Sequence, residues 1–154
     1  MLTTLLFALA LNSPQGHAAM NERGAHVMGF DQEKTAHHFL LFNDGGAIDI
    51  GVKDQGDTAS RDAIRSHLPH ISMMFSDGTF DAPMLVHDTK NVPGITTLTA
   101  RKNTITYRYV ETATGGRVEI VSKDARTLKA LHAFLRYQIR EHDTGDSGTI
   151  ATRK

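Results

Sequence analysis

The chain has 154 residues, with 17 basic and 17 acidic side chains, 40% hydrophobic residues and 22% charged ones, the size and balance of one soluble globular domain. Zero formal net charge and a pI near 7.1 argue against a nucleic-acid surface, because a phosphate-reading patch makes a domain strongly basic. The absence of Cys excludes disulfide scaffolds, thiol catalysis, Cys-ligated zinc and iron–sulfur clusters, and leaves 9 His and 6 Met as the unusual features.

The chain opens on an apolar run over residues 1–11. That is the length of a signal-peptide core and too short to span a bilayer. Asn12-Ser13-Pro14 reads as a helix breaker, and the small residues Gly16, Ala18 and Ala19 offer a cleavage site. Every Asp, Glu, Lys and Arg lies beyond Ala19. The pattern predicts a signal peptide over 1–19 and a periplasmic or secreted protein. No Lys or Arg precedes the run, so the rival expectation is translation from Met20 and a cytoplasmic protein.

After a loop, Ala36 to Phe42 reads as a strand, and Asn43-Asp44-Gly45-Gly46 as a tight turn whose residues tolerate positive φ. The return strand sets Ile48, Ile50 and Val52 on one face and Asp49 and Gly51 on the other, a half-buried antiparallel hairpin. From an N-cap at Asp57 or Thr58 the period becomes helical, with Ile64, Leu68, Ile71 and Phe75 on the core face. Pro69 inside this segment predicts a kink, or two short helices.

Ala82 to Asp88 reads as a short strand, and Ile95 to Ala100 as a less distinct one. Ile105, Tyr107 and Tyr109 alternate as a strand, and Thr114-Gly115-Gly116 turns the chain into Arg117 to Val121. Asp124 caps a last helix whose core face holds Leu128, Leu131, Leu135 and Ile139. The expected fold is α+β, an antiparallel sheet of about five or six strands with two helices packed on one face, in the order β-β-α-β-β-β-α. Both halves read as hairpin then helix, but their residues do not match and no repeat of fixed period emerges. One domain is expected over 20–143, followed by a flexible tail over 144–154 without a role in the fold.

Histidine carries the chemical signal, since neutral imidazole is the commonest transition-metal ligand. On the first helix, His67, His70 and Met74 fall within an arc of roughly 60° beside the apolar stripe. His37 and His38 must point to opposite faces of their strand, so one of them can join an interior site. His87 lies in the Ala82–Asp88 run. These six residues, His37, His38, His67, His70, His87 and Met74, form the candidate metal set. Imidazole with thioether suits copper. Zinc on three His and a water is an alternative, as is a haem with His/Met axial ligands, for which there is no covalent attachment motif. His26, His132 and His142 show no such grouping.

Other motifs fail on context. His87-Asp88 sits in a presumed strand rather than the helices of a phosphohydrolase site, and no Gly-x-Ser-x-Gly elbow supports a serine triad. The Gly-Gly pairs close hairpins and do not open helices as phosphate loops do. Asp49, Asp54 and Asp57 lack the spacing of a calcium loop.

At His37-His38-Phe39, at Ser60 to Ile71 and at Pro83 to Asp88 the chain resembles a group of short bacterial exported proteins, over about Gly29 to Asp143. The resemblance implies export and one intact domain; it implies neither an activity nor a ligand set. The reading is therefore an exported protein binding a transition metal for storage, delivery or sensing. Its rivals are a metal-dependent enzyme with an open coordination site, with Asp88 as the nearby acid or base, and a metal-free interaction domain with structural His. No nucleic-acid partner or membrane span is expected, and a homodimer or protein partner stays open.

Overall fold

A two-residue turn closes each hairpin and a Gly-Gly pair opens each return strand: Asn43-Asp44 joins β1 (Thr35–Phe42) to β2 (Gly45–Val52), and Ala113-Thr114 joins β3 (Ile105–Thr112) to β4 (Gly115–Ser122). In the computed structural model, which describes residues 14–153, an antiparallel β2–β4 ladder joins them into one sheet of order β1-β2-β4-β3. Two long helices cover a single face of it. Asp57 caps α2 (Thr58–Ser76) and Asp124 caps α5 (Ala125–Glu141), each carboxylate accepting from the backbone N–H three residues on, Ser60 or Thr127. Those bonds satisfy donors that a helix start otherwise leaves orphaned.

The covered face buries Phe39, Leu41, Ile48, Ile50, Val118 and Ile120 beneath Ile64, Leu68, Leu131 and Leu135. The opposite face carries the cross-strand ion pairs Asp49–Arg117 and Arg108–Glu119. The class is α+β as expected, with four strands in the described residues rather than five or six.

The shortfall in strands has a local cause. Ala82 to Val86 belongs to α3 (Asp81–Val86), where Ala82 and Val86, four apart, are the buried pair. Pro83 sits in the first turn, where its missing N–H has no intrahelical partner to lose. Ile95 to Ala100 is likewise a helix, α4, entered through Gly94 at φ 86°. A side chain at Gly94 would put Cβ 2.2 Å from the Ala130 carbonyl oxygen. Over six residues, alternation and helical spacing overlap too much to be told apart.

Three further expectations change. The segment before β1 is not all loop: α1 spans Pro14–Met28 and ends at Gly29 with φ 77°, while Asn12 and Ser13 lie outside the described residues. Pro69 lies within one continuous α2, not between two helices. The chain's end does take part in the fold: Ala151 bridges Phe42 beside the β1 edge, and Asp146 accepts from the Phe39 N–H at 2.9 Å. The apolar run 1–11 lies outside the described residues, among which no helix is long and apolar enough to cross a membrane.

The register also reveals an internal duplication. Thr35 pairs with Val52 and Ile105 with Ser122, so adding 70 to the first hairpin reproduces the second along its whole length. Ile48 pairs with Val118, its own counterpart, as a two-fold axis between β2 and β4 requires. The helix caps Asp57 and Asp124 are 67 apart because the β4–α5 link is three residues shorter than the β2–α2 link.

Packing obeys both offsets. Leu68 and Leu135 sit over Gly116 and Gly46, where an added Cβ would stand 3.0 and 2.4 Å from their Cδ1 atoms. Arg65 donates to Thr112 O and Gly115 O at 2.7 and 3.3 Å. Its counterpart His132 donates through Nε2 to the matched Phe42 O and Gly45 O at 2.9 and 3.0 Å. Each long helix lies mainly on the other half's hairpin, α2 on β3–β4 and α5 on β1–β2.

Candidate functional site

Where α5 ends over β1, the duplication is filled with different chemistry. The core stripe of α5 continues from Leu131 and Leu135 to Gln138, which is buried, and to His142, the helix C-cap. His142 stacks on His37 of β1, ring centroids 5.7 Å apart and planes 19° apart. His87, the C-cap of α3, meets the His142 ring nearly edge-on at 5.0 Å. The three imidazoles and Gln138 form the polar end of a cavity of about 60 Å³ whose walls include Met28, Phe39, Ile50, Phe75 and Phe134. A polar cleft of about 360 Å³, lined by Asn21, Lys53 and Thr144 among others, shares His37 and His142 with that cavity.

Burial decides the charge state. Desolvation first, then the neighbouring His38 and Lys53, pulls His37 down to about 4. Desolvation, then His37, His87 and His17, pulls His142 down to about 3. Desolvation also lowers His87, against the opposing pull of its Gln138 hydrogen bond and Glu141. All three are neutral at pH 7, the form that coordinates metals. His87 Nε2 lies 3.0 Å from Gln138 Oε1. An amide oxygen only accepts, so Nε2 carries the proton and the lone pair resides on Nδ1. His37 Nε2 and Gln138 Nε2 are buried without a hydrogen-bond partner.

The six expected residues divide. His37 and His87 belong to the cluster, joined through His142. His67 lies one ring away: Phe30 stacks on His37 at 6.2 Å and meets His67 edge-on at 6.1 Å. Burial lowers His67 as well, with His70 adding to it, and its Nε2 is also buried without a partner. His70 is exposed, and Met74 is half-buried without lining the cavity. His38 points to the other face, where Nδ1 meets Asp146 Oδ1 at 2.9 Å. The arc shared by His67, His70 and Met74 on α2 is therefore not a single site.

His142 and Gln138 escaped the sequence reading. The signal was the α5 stripe, which continues at 131, 135, 138 and 142 with helical spacing. Among the described residues no three of His, Cys, Asp or Glu stand around a common point as they would for a metal ion. Comparison with protein-family models, curated proteins and solved structures finds no match to this chain.

Proposed function

We propose that this is an exported transition-metal-binding protein, copper preferred and zinc the alternative, whose ligands are His37, His87 and His142. The carrying observation is the cluster of three neutral imidazoles, His87 buried and His37 and His142 half-buried, at the place where the other half sets Phe75 against Tyr107. Nothing in the packing requires polarity there, as its counterpart demonstrates.

Imidazole ligands and the Met28 thioether in the same cavity favour copper over harder ions. Gln138 supports the reading from behind, because a ligand histidine is commonly held by a hydrogen bond to its other nitrogen. Capture requires the His37 and His142 rings to turn out of their stack, a rotation about the soft χ2 torsion. Haem is set aside on size, since a cavity of about 60 Å³ has no room for the macrocycle.

The test is calorimetric titration of chelator-treated protein with copper(II) and zinc(II). One equivalent is expected to bind. The double variant His37→Tyr with His142→Phe rebuilds the aromatic pair of the other half, and it should lose about a hundredfold in affinity while melting no lower than the parent. His70→Ala and Met74→Leu should bind as the parent does. No stoichiometric uptake, or full affinity in the double variant, overturns the proposal.

A further inference from the structure

The two outer strands of the sheet end differently. Along β1 the chain's end runs as a strap: Asp146 accepts from the Phe39 N–H, the Ala151 N–H donates to Leu41 O, and the Asn43 N–H donates to Ala151 O. These bonds mark the odd-numbered residues of β1 as those whose backbone faces outward. The 70-residue offset carries that parity to β3. There the outward N–H and C=O groups of Tyr107, Tyr109 and Glu111 have no hydrogen-bond partner among the described residues. Nor is this edge blunted, since β3 pairs with β4 along its whole length without a bulge and contains no Pro or Gly. A regular, exposed edge of β-branched and aromatic residues is a template for another strand.

We infer that β3 pairs antiparallel with β3 of a second copy of this chain, joining the two sheets into one. The strap of a second copy is not the occupant. On β1 it is held by His38, Phe42 and Asp44, which the offset matches to Arg108, Thr112 and Thr114. Thr112 offers Arg153 no ring and Thr114 offers it no carboxylate. The strand, by contrast, is complementary to itself. With a two-fold axis at Tyr109, all three outward residues are paired: Tyr109 with Tyr109, and Tyr107 with Glu111 in both directions. On the outer face this register sets Arg108 opposite Val110 and Thr106 opposite Thr112, so no like charges meet. An axis one residue away, at Arg108, would set that guanidinium against its own copy, which is unfavourable. Pairing along one strand gives a small interface, so the dimer is weak and concentration-dependent. The imidazole cluster lies against β1, at the far edge of the sheet, so this inference stands apart from the metal reading.

The experiment is sedimentation equilibrium of the full chain, treated with chelator, over a range of concentrations. A reversible monomer–dimer equilibrium is expected. Val110→Glu sets a carboxylate opposite Arg108 twice in each dimer and should tighten it about fivefold. Val110→Lys sets like charges at the same two places and should weaken it about fivefold. Glu111→Pro removes an outward N–H that the β3–β4 ladder does not use, so the monomer keeps its fold while the dimer weakens about tenfold or more. A parent protein that stays monomeric up to about 1 mM overturns the inference. So does a dimer that answers both Val110 substitutions alike, or one that Glu111→Pro leaves unchanged.

Discussion

At matched places in its two halves this protein packs a helix against a strand in two ways. On one side Phe75 meets Tyr107 at 5.7 Å and 66°, with Phe80 and Phe134 completing an aromatic cluster. On the other, His142 meets His37 at the same 5.7 Å, and Gln138 replaces Ile71. The backbone framework is common to both, down to the glycines under Leu68 and Leu135. One half therefore serves as an internal control for the other. The aromatic side desolvates a single side-chain polar group, the Tyr107 hydroxyl, which is buried without a hydrogen-bond partner. The histidine side desolvates three imidazoles and an amide for no added packing, a pattern expected where function opposes stability.

Acid should separate the halves most widely. His37 and His142 are depressed to about 4 and about 3, in both cases by burial first, whereas unfolded imidazoles titrate near 6.5. Below pH 6.5 the unfolded chain takes up protons that the folded chain refuses, so this stability is fully present above pH 6.5 and is lost as pH falls toward 4. By pH 5 the loss is roughly 2 kcal/mol for each of the two. Urea midpoints of the chelator-treated protein should fall accordingly between pH 7 and pH 5. The His37→Tyr, His142→Phe variant should lack most of that fall, and an undiminished fall in it would show that other groups cause the acid sensitivity.

The equivalence of the framework can be strained at its two close approaches. An alanine Cβ at Gly46 would stand 2.4 Å from Leu135 Cδ1 and 2.6 Å from the Leu40 carbonyl oxygen. At Gly116 the nearest atoms are Tyr109 Cε2 at 2.6 Å and Leu68 Cδ1 at 3.0 Å, both side-chain atoms. Side chains can yield by rotation, but a carbonyl can yield only by distorting the ladder. Gly46→Ala should cost about 3 kcal/mol and Gly116→Ala about 1 to 2 kcal/mol, measured by chemical denaturation. The reverse order would mean that the two contacts are not held in the same way.

The sequence made the framework legible more fully than the site. Gly-Gly turns, Asp caps and apolar stripes at Ile64, Leu68, Ile71 and Phe75 are local signals, and they mark both hairpins and both long helices. The duplication stayed hidden because its Gly-Gly pairs match while residues such as His37 and Tyr107 differ, and because a three-residue change in one link breaks any fixed period. Of the site, His37 and His87 were identifiable by type. His142 was not, because its partners are fixed by the direction in which α5 crosses β1, a tertiary fact that no short-range pattern carries.

The smallest contrast concerns how each helix clamps its opposite turn. His132 is 5% exposed and holds Phe42 O and Gly45 O, so His132→Ala strips two carbonyls of their donor and leaves a gap around them. The cost should be about 2 kcal/mol. Arg65 makes the equivalent bonds from a side chain that is 26% exposed, and its ion pair is with Glu111, itself 61% exposed. Water can replace much of what Arg65→Ala removes, and an exposed pair adds little, so that change should cost about 1 kcal/mol. His132→Gln supplies an amide donor of similar reach and should recover about half of the His132→Ala loss. Equal losses for His132→Ala and Arg65→Ala would mean that burial does not set the strength of the clamp. Failure of His132→Gln to recover stability would assign the His132 effect to packing rather than to its two hydrogen bonds.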